Sequence, residues 1–193
     1  MTVLVKAATP ADARSTIDTI VLAFSGDPVA RWCWAEPHRY LTCMPGFVQA
    51  FAGRAFQHGG AFRTDDEAGA ALWLFPGVHA DEEALGDILQ RTLAASIRAD
   101  LLAVMGQLAT YHPSEPHWYL PMIGVDPTRH GQGYGAALMT YALERCDRAH
   151  APAYLESTNP RNTSLYLRHG FRALGRVQVG GSPPLTPMLR PAR

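Results

Sequence analysis

Apolar residues recur along the first half of the chain at two spacings, one typical of helices and one typical of strands. Spacing of three and four residues predicts a helix over residues 9–24 and a second over residues 37–56, with a kink at Pro45. A helix-like composition continues over residues 80–105, with an interruption. The strands predicted in this half are residues 3–7, 60–64 and 68–75.

The second half is easier to interpret because its elements are short and well punctuated. Helical spacing covers residues 133–149, and a short helix over residues 162–169 ends at Gly170. The strands predicted here are residues 118–125, 153–158, 171–179 and 185–189. This order predicts a mixed α/β (α+β) fold in a single domain over residues 1–193. We expect a mostly antiparallel central sheet with one parallel crossover, flanked by helices.

Composition narrows the classes of function. The chain of 193 residues carries 17 basic and 17 acidic side chains. This balance argues against a protein that coats nucleic acid or an anionic membrane, and neither partner is expected. The three cysteines have no C-x-x-C spacing and suggest neither a disulfide framework nor a zinc site. The sequence contains neither a signal peptide nor an apolar run of membrane-spanning length, so a cytoplasmic location is expected.

A loop with three alternate glycines joins the strand at residues 118–125 to the helix that follows it. Gly131, Gly133 and Gly135 allow sharp turns and a close approach of backbone N–H groups to a ligand. The helix start adds unpaired N–H donors and a partial positive charge. The loop is therefore predicted to hold a phosphate or pyrophosphate.

Three phosphate-containing ligands compete for this loop. A nucleoside-triphosphate loop ends in Gly-Lys-Ser/Thr, whereas this one reads Gly-Tyr-Gly-Ala, which excludes it. A dinucleotide fold could use Glu156 as its ribose-binding acid. However, the glycine spacing differs, and fewer than sixty residues follow, too few for the remaining strands. Coenzyme A is the third candidate.

Two sequence blocks resemble the GNAT superfamily of N-acetyltransferases. Residues 125–127 followed by HGQGYG at residues 130–135 resemble its acyl-CoA loop, Q/R-x-x-G-x-G/A, with His130 in place of the usual Gln or Arg. Residues 152–171 are similar to its second coenzyme-side segment, including the Asn, the Tyr and the final Gly-Phe. The resemblance implies acetyl-CoA as the acyl donor and no metal.

The likeness extends to the puromycin N-acetyltransferase branch. It rests on the Ala-Phe and Asp-Pro pairs within residues 23–28, on EPHWYL at residues 115–120, and on Pro-Arg-Asn at residues 160–162. The branch implies a small-molecule amine as the acceptor. Monomer and homodimer both remain open.

The family resemblance also implies roles for individual residues. The backbone of Ile123, Gly124 and Val125 would pair with the pantetheine arm, and Asn162 would bond that chain. Tyr166 would be the general acid that protonates the departing thiolate. The pyrophosphate would be held by His130, Gly131, Gln132, Gly133, Tyr134 and Gly135.

The general base has several candidates. Some relatives carry a glutamate on the central strand, where this chain has Tyr119. The remaining candidates are Glu156, Glu115 and His117. We favour Glu156, acting directly or through water, and an ordinary ion pair with an arginine is its alternative role.

Other residues have both a structural and a functional interpretation. Trp32 and Trp34 either pack between helices or form an aromatic wall for the acceptor, with Glu115 and His117 nearby. Tyr166 could also be a core aromatic.

The sequence therefore predicts an N-acetyltransferase of a small amine. The alternatives are an acetyltransferase of a protein or peptide amine and a non-catalytic acyl-CoA sensor.

Overall fold

The fold is built on one twisted sheet. A computed structural model describes residues 2–193 and contains seven strands in the order β1-β2-β3-β4-β5-β7-β6. The strands are β1 (Val5–Ala7), β2 (Ala61–Thr64), β3 (Gly69–Leu74), β4 (Trp118–Val125), β5 (Ala153–Ser157), β6 (Arg172–Ala173) and β7 (Thr186–Arg190). Only β4 and β5 pair in parallel among these strands, which confirms the predicted mixed, mostly antiparallel sheet.

Helices cover both faces of the sheet. They are α1 (Ala13–Ala23), α2 (Pro28–Cys33), α3 (Pro37–Ala52), α4 (Arg54–Gln57), α5 (Glu82–Thr92), α6 (Ala95–Ala109), α7 (Tyr134–Arg148) and α8 (Thr163–Arg168). Strand β3 is fully buried, and its side chains alternate between two apolar cores. Leu72 packs with α1, α3 and α5 on one face, whereas Trp73 packs with α7 and α8 on the other. Burial on both faces explains its continuous apolar sequence.

A bulge in β4 changes which face its side chains meet. Leu72 pairs with Met122 and Leu74 with Tyr119, so β4 has one residue more than β3 over this stretch. As a result Leu120 lies in the α7 core, whereas Met122, two residues later, lies in the α1 core. The extra residue falls beside Pro121, which has no N–H to contribute to the ladder.

The structure differs from the predictions in several elements. Helix α3 continues through Pro45. The carbonyl of Leu41 loses its helical partner there, but Leu41 is exposed, so this carbonyl can bond water instead. The predicted break after α1 contains a further short helix, α2. The interruption predicted within residues 80–105 is confirmed, since residues 93–94 separate α5 from α6, although α6 runs on to Ala109. The predicted strand at residues 171–179 is shortened to β6, followed by an isolated bridge between Val177 and Leu185.

A buried arginine fastens β7 to the neighbouring helices. The Arg190 guanidinium donates to both carboxylate oxygens of Asp147 at 2.6 and 2.8 Å and to the His169 carbonyl at 2.9 Å. Arg190 is 2% exposed. The pair therefore ties β7 to the end of α7.

We expect Asp147→Ala to lower the free energy of unfolding by about 2 kcal/mol, because it leaves a buried cation without its counter-ion. Hydrogen bonds from Arg190 hold the pKa of the Asp147 carboxyl below its ordinary value. The stabilisation is then present above about pH 4 and is lost as the pH falls through the lowered pKa. Thermal unfolding from pH 7 to pH 3 measures both effects. Asp65→Ala, which removes an exposed pair with Lys6, is the control and should change little.

None of the helices within residues 2–193 is both long enough and apolar enough to cross a membrane.

Candidate active site

The sheet opens between its two parallel strands. β4 and β5 pair at only two positions, Trp118 with Ala153 and Tyr119 with Tyr154. Beyond Tyr119, β4 continues along β3 while β5 continues along β7. Within the described residues, the β5-facing edge of β4 therefore has no strand partner from residue 120 to residue 125. Its backbone groups are available to a ligand with amide groups of its own.

The glycine loop lies at the open end of β4 and leads directly into α7. Gly131 and Gly133 have φ angles of 76° and 90°, in the left-handed region that glycine adopts without strain. Gly133 is the N-cap of α7, and no side chain caps this end of the helix. The first N–H groups of α7 can therefore serve an anion.

Side chains of the loop turn back onto the protein. Tyr134 donates to Asp66 at 2.6 Å, Gln132 donates to the Thr128 carbonyl at 3.2 Å, and a His130 ring nitrogen lies 3.1 Å from the Val125 carbonyl oxygen. Residues 130–135 therefore present backbone amides rather than side chains to a ligand, and the His130 and Gln132 N–H groups make only long bonds of 3.4 Å within the loop. The departure at His130 leaves this backbone geometry in place.

Two glycines allow neighbouring elements to approach the open edge. A Cβ on Gly124 would lie 2.5 Å from the Ala23 Cβ, so α1 packs directly against β4 at this position. A Cβ on Gly135 would lie 3.2 Å from the Leu165 Cδ2. Helix α8 therefore lies against the start of α7.

Tyr166 is carried by α8 and is almost fully buried. Its ring meets Phe171 edge-on at 6.2 Å within the core on the α7 face. Its hydroxyl has no hydrogen-bond partner among residues 2–193. Burial, and to a lesser degree the Asp27 carboxylate, raise the pKa of this phenol well above its ordinary value. Asn162, at the start of α8, is exposed and its side chain does not cap the helix.

Asp27 is a site residue that the sequence interpretation missed. Its carboxylate accepts from the Val29 and Ala30 amides at 3.0 Å and from the Thr158 hydroxyl, at the end of β5, at 2.6 Å. Burial raises its pKa. An aspartate directly before Pro28 is a typical helix N-cap signal, but the pair entered the prediction through the branch resemblance, not as a cap.

Glu156 lies on β5 and projects to the face opposite the α7 core. The Tyr119 hydroxyl donates to Glu156 Oε2 at 2.6 Å, and His112 Nδ1 lies 3.7 Å from Oε1. The Glu156 side chain is 13% exposed. None of its contacts is with an arginine, so the structure does not place it in the ordinary ion pair that was the alternative.

The remaining candidate site residues lie in different surroundings. His117 contacts His112, and its Nδ1 lies 2.7 Å from the Glu115 carbonyl oxygen, while the Glu115 side chain is exposed. Trp34 is 3% exposed and donates to Thr92, so its ring is part of the core, which is the packing role of the two predicted for it. Trp32 is half-buried and lies near Gly181 in the β6–β7 connection.

Comparisons with known proteins agree with this fold. A Corynebacterium glutamicum acetyltransferase related to histone acetyltransferase HPA2 superposes with a TM-score of 0.71 at 27% identity, covering 100% of this chain and 98% of the other. Arylalkylamine N-acetyltransferase 2 of Aedes aegypti (TM-score 0.70, 12% identity) covers 100% of both chains. A polyamine N-acetyltransferase of Drosophila melanogaster (TM-score 0.69, 11% identity) covers 98% of this chain and 100% of its own.

The last two identities are low and show the fold alone. The sequence itself matches the Acetyltransferase (GNAT) family over residues 62–171, more than half of the chain. This stretch includes the open edge of β4, the glycine loop and α8. The chain therefore belongs to the GNAT family of acetyltransferases.

Proposed function

We propose that this protein is an N-acetyltransferase that moves the acetyl group of acetyl-CoA onto the amine of a small molecule. One observation carries the proposal: β4 and β5 diverge after two paired positions, and Tyr166 and Glu156 belong to opposite faces of the sheet that opens there. A gap of this kind admits a thioester arm between an acid and a base.

Different residues have different roles in the proposed acyl transfer. The free backbone of Ile123, Gly124 and Val125 binds the pantetheine arm, the loop amides of residues 130–135 bind the diphosphate, and Asn162 bonds the arm. The amine nitrogen forms a bond to the thioester carbon while the carbon–sulfur bond breaks. Tyr166 gives its proton to the departing sulfur, and Glu156 takes a proton from the amine. Burial penalises a thiolate as it penalises a phenolate, so Tyr166 and the sulfur remain matched in basicity.

A cationic small amine fits the acceptor side. The Glu156 carboxylate lies among the rings of Tyr119, Tyr154 and His112, which attract an ammonium group through charge and through their π faces. Proteins of the same fold include the arylalkylamine and polyamine enzymes above and an agmatine N-acetyltransferase. We propose an acceptor of this general kind, with a puromycin-like aminonucleoside as the finer candidate, and action in the cytoplasm.

The test is thiol release from acetyl-CoA with a panel of amines: agmatine, spermidine, phenethylamine, puromycin and a lysine-containing histone peptide. We expect turnover with at least one of the small amines. Cys33 and Cys146 add little background because burial raises the pKa of Cys33 to about 12 and that of Cys146 to about 11.

Thermal unfolding with and without coenzyme A separates the alternatives. Stabilisation by coenzyme A without turnover of any amine would favour the sensor, and turnover of the peptide alone would favour a protein acceptor. The absence of any stabilisation would contradict the proposed coenzyme site.

A further inference from the structure

Two histidines adjoin Glu156 on the side away from Tyr166. His112 follows α6 in a turn, and its backbone N–H bonds the Leu108 carbonyl at 3.2 Å. The end of α6 is held in place by Val104, which packs with Val177 and Leu185 of the β6–β7 connection. The packing of α6 thus places His112 beside β5.

The contacts of His117 determine which ring nitrogens of His112 and His117 carry a hydrogen. A carbonyl oxygen can only accept, so His117 Nδ1, 2.7 Å from the Glu115 carbonyl, must carry a hydrogen. Burial lowers the pKa of His117, which favours the neutral ring. Neutral His117 then has an unprotonated Nε2 that accepts a hydrogen bond.

The tautomer of His112 follows from that of its neighbour. His112 Nε2 lies 2.9 Å from His117 Nε2, so His112 must be the donor of this bond. The other nitrogen of neutral His112, Nδ1, is left with a free lone pair. This is the nitrogen that lies 3.7 Å from the Glu156 carboxylate.

We propose that His112 is a proton relay: its Nδ1 receives the proton that Glu156 takes from the acceptor amine and passes it to solvent. His117 is a positioning residue that keeps this nitrogen unprotonated between cycles. The inference rests on the proposed function, since it concerns the same base.

The proton affinities of the amine, the carboxylate and the imidazole explain why a relay would help the reaction. An alkyl ammonium holds its proton far more tightly than a carboxylate does, and an imidazole is intermediate between the two. A carboxylate backed by a neutral imidazole can therefore remove the proton more effectively than a carboxylate alone. The His112 side chain is 36% exposed, so its proton can leave to water.

The surroundings of His112 fit this role. The groups facing it are Glu156 and Tyr154 on β5, Tyr119 on β4, and His117 before β4, with Tyr111 adjacent in the chain. Glu156 is the only carboxylate that the described residues bring into contact with its ring. The two Nε2 atoms point at each other, and no metal-binding group of three ligands occurs among residues 2–193.

The proton balance is simple. An acceptor that arrives as an ammonium loses two protons from nitrogen, one before it attacks the thioester and one as the amide forms. Each proton passes from Glu156 to His112 Nδ1, and the resulting imidazolium releases it to water. Tyr166, which has protonated the sulfur, recovers its proton from solvent. No oxidant or further reactant is needed.

The experiment compares wild type with His112→Gln in steady-state acetylation, from pH 7 to pH 9.5, using acetyl-CoA and the small amine of the panel with the highest turnover. We expect kcat/KM to fall about 10- to 100-fold at pH 7. The deficit should shrink as the pH rises, because a growing share of the amine then enters without its extra proton. His58→Gln, at an exposed position after α4, is the matched control.

Two further variants separate a relay from a structural role. His112→Ala should regain activity when free imidazole is added, which a merely structural residue would not do. His117→Asn keeps an N–H donor for the Glu115 carbonyl but has no atom at the Nε2 position to accept from His112, and it should lower kcat/KM several-fold at pH 7. Thermal unfolding of each variant shows whether the fold is intact.

The outcomes are distinct. An undiminished rate in His112→Gln, a deficit equal at pH 7 and pH 9.5, or no imidazole rescue would overturn the relay while acetylation by wild type stands. Failure of wild type to acetylate any amine would instead overturn the proposed function.

Discussion

Tyr166→Phe is expected to lower kcat by about 10²- to 10³-fold, the usual effect of removing a general acid. The substitution removes one hydroxyl that has no partner within residues 2–193, and the ring that packs against Phe171 remains. Stability and coenzyme binding should therefore change little, and the loss should appear in turnover. Because the pKa of Tyr166 is raised, wild-type activity should not decline through this group until well above pH 10.

Steady-state kinetics and coenzyme-dependent thermal unfolding measure the two parts of this prediction. Tyr141→Phe provides the control, since Tyr141 lies on α7 against Phe62 and Arg145, in contact with none of the proposed catalytic groups. If Tyr166→Phe kept wild-type turnover, Tyr166 would be a core aromatic and nothing more.

Asp27→Ala is expected to lower the free energy of unfolding by about 3 kcal/mol, because α2 loses its cap and the partly buried Thr158 hydroxyl loses its partner. For a chain of this size the melting temperature should fall by about 6–12 °C. Activity should fall as well, because Asp27 joins the start of α2 to Thr158 at the end of β5.

Thermal and urea unfolding of two further variants test this account. Asp18→Ala removes an exposed carboxylate from α1 and should leave stability within about 0.5 kcal/mol of wild type. Asp27→Asn retains an oxygen that can cap α2 and should recover much of the loss. Equal stability of Asp27→Ala and Asp18→Ala would mean that the buried contacts of Asp27 contribute nothing.

Local patterns in the sequence predicted the elements that local chemistry determines. The glycines of residues 131–135 indicate both the turn and the helix start, and the apolar run of residues 68–75 indicates a strand. The parallel crossover followed from the order strand, helix, strand. The branch resemblance also drew attention to residues 27 and 28, although the role of Asp27 as a cap was not recognised.

Contacts between distant segments could not be predicted in this way. His112 meets Glu156 across 44 positions of sequence because α6 docks on the β6–β7 connection, and no local pattern encodes that docking. Trp34 and Trp32 are two residues apart in one short segment, yet only the fold decides that one is in the core. The passage of α3 through Pro45 likewise depends on tertiary packing, which outweighs the local cost of the proline.

The two paired positions between β4 and β5 also bear on the architecture of the working enzyme. They are the only backbone ladder, within residues 2–193, that links strands β1–β4 to strands β5–β7. A pantetheine arm bonded along the free edge of β4 would act as a short eighth strand. Each catalytic cycle would then build and dismantle part of the sheet, and the donor would be a structural component of the enzyme for as long as it stayed bound.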